Sequence, residues 1–92
     1  MQALKDVHLF KGLGILLFSA EWCGPCKVNK ARLYPMLENE LKDIEFEEIN
    51  IDTHPEYAKK YGVRSIPTMI LFDGDTILKT SHKLDDILDE IR

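Results

Sequence analysis

Ile15-Leu16-Leu17-Phe18 is a short run without a single polar side chain, and Gly14 bounds it. A strand that alternates apolar and polar residues buries one face, whereas a strand apolar at every position must bury both. Such a run belongs in the middle of a mostly parallel sheet with cover on each side. The chain has 92 residues, enough for one core, so residues 1–92 read as a single domain without a repeat array or long linker. Leu13 to Phe18, interrupted by Gly14, is the longest apolar stretch. It falls far short of the ~20 residues that span a bilayer. The N-terminus shows no basic region followed by a long apolar segment, so no secretory leader is expected.

The rest of the chain supplies the cover. Leu4 and Val7 give a weak helical signal over Gln2 to His8, while Val7 to Phe10 also reads as an edge strand; the pattern leaves both open. Good helix formers run from Cys23 to about Lys42, with Pro35 inside as an expected kink. Ile44 to Ile51 reads as a second strand on which Ile44, Phe46, Glu48 and Asn50 face one way. His54-Pro55 opens a short helix that Gly62 closes. Thr68 to Phe72 and Thr76 to Thr80 flank Asp73-Gly74-Asp75 as an antiparallel hairpin. Leu84, Ile87, Leu88 and Ile91 fall at i, i+3, i+4 and i+7, an amphipathic helix. The expected order is α-β-α-β-α-β-β-α, an α/β fold with a mixed sheet.

Cys23-Gly24-Pro25-Cys26 lies where the first strand gives way to the first long helix. These two are the only cysteines, too few for a disulfide-stapled secreted scaffold. Three readings exist. Two inert packed thiols fit poorly beside Trp22, Gly24 and Pro25, which make a tight exposed turn. Half of a zinc site lacks its other ligands, because His8, His54 and His82 are scattered without ligand spacing. The third reading is thiol–disulfide exchange. Cys23 at a helix start gains from unpaired N–H groups and the helix dipole, which favour a thiolate; Cys26, one turn on, can resolve a mixed disulfide. Pro25 removes one of those N–H groups. The net charge of −4 argues against a broad nucleic-acid surface. Neither a Gly-rich phosphate loop nor a ligand cluster appears, so no metal, flavin or nucleotide is expected.

Ala20-Glu21-Trp22-Cys23-Gly24-Pro25-Cys26-Lys27, Asn50-Ile51-Asp52 and Tyr61-Gly62-Val63-Arg64-Ser65-Ile66-Pro67-Thr68 stand in an order and spacing that resemble the thioredoxin family. The resemblance implies a thioredoxin fold with Pro67 in cis beside the cysteines. A cis proline would offer the backbone of Ile66 to a peptide; a plain strand start is the other reading of Ile66-Pro67. It also implies that Trp22 and Ile51 form an apolar rim around Cys23, with Gly24, Pro25, Ile66 and Pro67 completing a substrate-binding surface. Lys27 either favours the thiolate weakly or is simply solvated.

The chain departs from that family at several points. It starts too late for the usual first strand, so four strands are expected. Leu17 occupies the place of a buried Asp, and Glu48 that of its Lys partner. Ser19 replaces a Trp, and Thr80-Ser81-His82-Lys83 fills a corner that usually contains Gly. Glu48 is then either solvated at a rim or buried beneath the active site. In the buried case, without a Lys partner, its pKa should rise and it would handle the proton of Cys26.

The function expected from this resemblance is a monomeric cytoplasmic protein disulfide reductase. Cys23 would attack, Cys26 would resolve, and a thioredoxin reductase or equivalent donor would restore the dithiol. Disulfide-containing proteins are its expected partners, with no nucleic acid and no membrane. A glutathione-dependent, glutaredoxin-like reductase and a non-catalytic accessory subunit are the alternatives.

Overall fold

A computed structural model describes residues 10–92. The helix or edge strand expected before Phe10 lies outside the described residues; Phe10 itself is not in a strand. The elements are β1 (Leu13–Ser19), α1 (Gly24–Glu38), β2 (Glu45–Asn50), α2 (Pro55–Lys60), β3 (Thr68–Asp73), β4 (Thr76–Ser81) and α3 (Leu84–Ile91). Helix α1 stops earlier than the sequence suggests. Asn39 terminates it, with its amide side chain donating to Pro35 O at 2.8 Å and its backbone N–H to Met36 O at 3.1 Å. Gly62, at φ +68°, follows α2 in the left-handed region that glycine enters without steric cost.

The four strands lie in the order β2-β1-β3-β4. β1 pairs parallel with β2 and antiparallel with β3, so the sheet is mixed rather than mostly parallel. Its burial on two faces therefore comes from helices on both sides and not from parallel neighbours. Alternation sends Leu16 and Phe18 to one face, where Ile49, Ile70 and Phe72 join them and Tyr57 and Ala58 of α2 provide cover. Ile15 and Leu17 point the other way, onto Leu33 of α1, Met69 and Leu71 of β3, and Leu84, Ile87 and Leu88 of α3. Strand β4 closes one edge, a bulge between Leu71 and Phe72 shifting its register, and leaves Ile77 and Leu78 exposed.

Gly14 admits the Phe10 ring directly over the β1 backbone. A Cβ there would collide with that ring, which also packs on Phe72 at 5.6 Å between centroids. Gly14→Ala should therefore destabilise the fold by about 1–3 kcal/mol through forced displacement of Phe10. Leu17→Ala, which opens a cavity in the opposite core, should cost about 2–5 kcal/mol. Urea denaturation of the two variants checks both values.

Candidate active site

The strand β1 delivers Ser19 and Ala20 to the top of the sheet, and the chain turns there through Cys23 N–H donating to Ala20 O at 3.1 Å. Cys23 is the N-cap of α1: its backbone is extended, and its Sγ accepts the Cys26 N–H at 3.1 Å. A sulfur in that position meets a backbone donor that the helix leaves without a carbonyl partner, the arrangement that stabilises a thiolate. Pro25 sits in the first turn. The two sulfurs are joined as a disulfide. Trp22, Gly24 and Pro25 are exposed, but both cysteines are sunk, at 4% for Cys23 and 0% for Cys26. Both cysteines are therefore buried, and exposure alone does not distinguish them.

Ile51 and Ile66 pack against Ala20, Cys23 and Cys26, so two of the expected binding residues do meet the pair. Trp22 is 67% exposed. Its indole N–H donates to Asp52 Oδ2 at 2.8 Å, which fixes the ring's orientation. Asp52 is itself held by Asn50, whose Oδ1 accepts the backbone N–H groups of Asp52 at 2.8 Å and Thr53 at 3.3 Å. The Ile66–Pro67 peptide is cis. On its far side His82 Nδ1 lies 3.0 Å from Pro67 O and 3.2 Å from Thr68 Oγ1. Pro67 O can only accept, and the Thr68 hydroxyl donates to Ser65 O at 2.6 Å. Nδ1 therefore carries the hydrogen and donates to both. Lys27 is exposed and makes no ion pair among the described residues.

Glu48 requires a correction. It does share the face of Ile44 and Phe46, but among the described residues β2 is an edge strand and α1 overhangs it. Lys30 Nζ reaches Glu48 Oε2 at 2.8 Å, Ser19 Oγ donates to the same oxygen at 2.5 Å, and the Tyr34 hydroxyl donates to Oε1 at 3.3 Å. The carboxylate thus has a lysine partner, from the helix rather than the sheet. Burial pushes its pKa up, but the hydrogen bonds from Lys30 and Ser19 and the Lys30 charge outweigh that and hold it below the ordinary glutamate range. Lys30 is correspondingly raised, chiefly by its hydrogen bond to Glu48. The expected raised carboxyl pKa does not hold.

The sequence reading missed the partners of Glu48 and the role of His82. Cys26, Lys30 and Tyr34 recur at i, i+4 and i+8, so the helix period did place Lys30 and Tyr34 in line with Cys26. Nothing in the spacing brings His82 to Pro67; that contact depends on the β3–β4 pairing. Among the described residues no group of three or more His, Cys, Asp or Glu is placed to hold a metal ion, and no helix is long and apolar enough to cross a membrane.

Two cysteines bonded across the first turn of a helix, beneath an apolar rim and at the end of a doubly covered strand, are the working part of a thiol–disulfide oxidoreductase, and that is the class the fold and site define. The family model described as thioredoxin matches residues 4–91. The chain is 49% identical to a thioredoxin of Chlamydia caviae over 70 residues, which are 72% of this chain and 65% of that protein. It is 48% identical to a thioredoxin of Rickettsia bellii over 76 residues, 77% of this chain and 69% of the relative. Among solved structures, a mutant thioredoxin from Halobacterium salinarum superposes with a TM-score of 0.80 at 27% identity, over 99% of this chain and 80% of that one. The chain belongs to the thioredoxin family.

The lowered pKa of Glu48 fixes the sign of one pH effect. An ionised Glu48 stabilises the fold above its ordinary pKa of 4.5, and that contribution is lost as pH falls through the lower folded value. Glu48→Gln should be less stable than the parent at pH 7 by about 1 kcal/mol, and the gap should close as pH falls below about 4. Urea melts of the pair between pH 7 and pH 3 test it; a gap that widens in acid refutes the assignment.

Proposed function

We propose that this chain is a protein disulfide reductase, acting as a single domain and a monomer in the cytoplasm. The observation that carries the reading is the placement of Cys23 Sγ as acceptor of the Cys26 N–H at the head of α1. In the reduced form that contact favours a Cys23 thiolate, which attacks one sulfur of a target disulfide. A Cys23–target disulfide forms and one target thiolate leaves. Cys26 then gives up its proton, and its thiolate attacks the Cys23 sulfur. The second target thiolate departs, the target has gained two electrons, and the Cys23–Cys26 disulfide remains. An external reductase of the thioredoxin reductase kind returns it to the dithiol.

The rim formed by Trp22, Gly24, Pro25, Ile51, Ile66 and Pro67 receives the target segment in this scheme, and Lys27 adds a weak positive field. Pro67 has no N–H, so the only backbone groups it leaves to a peptide on that side belong to Ile66. Glu48 enters as the ionised partner of Lys30, one turn along α1 from Cys26. It does not store a proton at neutral pH.

Cys26→Ser should accumulate mixed disulfides with target proteins, resolvable on non-reducing gels, while Cys23→Ser accumulates none and reduces insulin only at the uncatalysed rate. Reduction of insulin by the parent should be sustained by thioredoxin reductase with NADPH and not by glutathione alone. Trapping by the Cys23 variant would reverse the roles. Turnover sustained by glutathione alone would favour a glutaredoxin-like activity.

A further inference from the structure

The cleft on the far side of the Ile66–Pro67 wall takes no part in that scheme. It has a volume of about 200 Å³, and its lining includes Tyr61, Arg64, Ser65, Thr68, Thr80 and His82. Three observations set it apart. The chain carries a net charge of −4, yet among the described residues no Asp or Glu lines this cleft. Arg64 is exposed and has no ion-pair partner among the described residues. The Tyr61 hydroxyl is buried and has no hydrogen-bond partner among the described residues, so one side chain of the lining carries an unsatisfied polar atom. A concavity with an unpaired guanidinium, the exposed hydroxyls of Ser65 and Thr80 and no carboxylate among its described lining suits a group that accepts hydrogen bonds and carries negative charge.

The cleft shares a wall with the cysteines. Ser65 and Thr68 line it and flank Ile66–Pro67, while Ile66 packs on Cys23 and Cys26 from the other side. His82 holds this wall in place through its Nδ1–H bonds to Pro67 O and Thr68 Oγ1. A target segment joined to Cys23 advances about 3.3 Å per residue when extended. Two or three residues of such a segment span about 7–10 Å, a reach that can carry a side chain across the wall.

We propose that this cleft is a specificity subsite for an acidic side chain of the target, near its disulfide, with Arg64 as the charge that receives it and His82 as the positioning residue that keeps the wall closed. The proposal rests on the reductase reading above. It also runs against the field of the whole chain, since a net charge of −4 by itself slows the approach of acidic peptides.

The test uses disulfide-containing peptides identical except for Glu, Gln or Lys two or three residues from one cysteine, with kcat/KM measured for each. The parent should prefer Glu over Lys by about two- to fivefold, the range expected for an exposed ion pair. The preference should shrink at 1 M salt, where the screening length is about 3 Å. It should fall to about one in Arg64→Gln and persist in part in Arg64→Lys. The ratio of two substrates on one preparation is independent of how much of that preparation is folded, so a destabilised variant still answers. Brisk turnover at equal rates on all three peptides overturns the subsite alone, as does a preference that survives Arg64→Gln. Failure to reduce any peptide overturns the reductase reading and the subsite with it.

Discussion

Strand β1 is hydrogen-bonded along both edges and covered on both faces, and the remaining elements are arranged by what it needs. Its four central residues, Ile15 to Phe18, have no exposed surface. Each fully buried aliphatic or aromatic side chain contributes roughly 1.5–3 kcal/mol, so this one strand anchors two separate cores. Leu16 and Phe18 require α2 on one side, and Ile15 and Leu17 require α1 and α3 on the other. This strand ends at Ser19, and Cys23 follows four residues on. The cysteine turn is thereby mounted on a strand that is paired on both edges and buried on both faces.

The polar features of the site are graded by distance from that strand. At its end, Ala20, Cys23 and Cys26 form a small apolar cluster with Ile51 and Ile66 and contain no ionisable group other than the cysteines themselves. The charged pair Lys30–Glu48 sits further out, against the edge strand β2, with side chains 24% and 29% exposed. Leu17, by contrast, is fully buried at the neighbouring register position. An apolar residue in the interior and an ion pair at the rim avoid the desolvation that two buried charges would incur. Ser19, whose hydroxyl reaches Glu48, links the two zones.

How much of this was legible in the sequence depended on the range of the interaction. The order of the elements from β1 onward, the doubly buried β1, the amphipathic α3 and the cysteine pair follow from local periodicity and turn chemistry, and each stands where the pattern placed it. The end of α1 was misplaced because Asn39 satisfies the Pro35 carbonyl with its side chain, a competition that helix propensity does not register. Alternation gives the face of Glu48 and leaves rim and interior both open; its place at the rim with Lys30 above it depends on β2 being the edge strand among the described residues. The His82–Pro67 contact joins residues 15 apart through a hairpin whose register carries a bulge. No pattern shorter than the hairpin contains that information.

The two edges of the sheet have a further consequence, for how the chain behaves at high concentration. An open edge is a template on which a second copy can extend the sheet. β2 places Glu45, Glu47 and Glu48 within six residues, so a second β2 laid against it would bring carboxylates together. β4 exposes Ile77 and Leu78, which by themselves invite such pairing, and Lys79 follows them directly. Antiparallel self-pairing centred on that residue would set two ammonium groups face to face, at the one edge where apolar side chains are left uncovered. A charge beside exposed apolar residues on an unpaired strand is a feature of the kind that disfavours edge-to-edge growth.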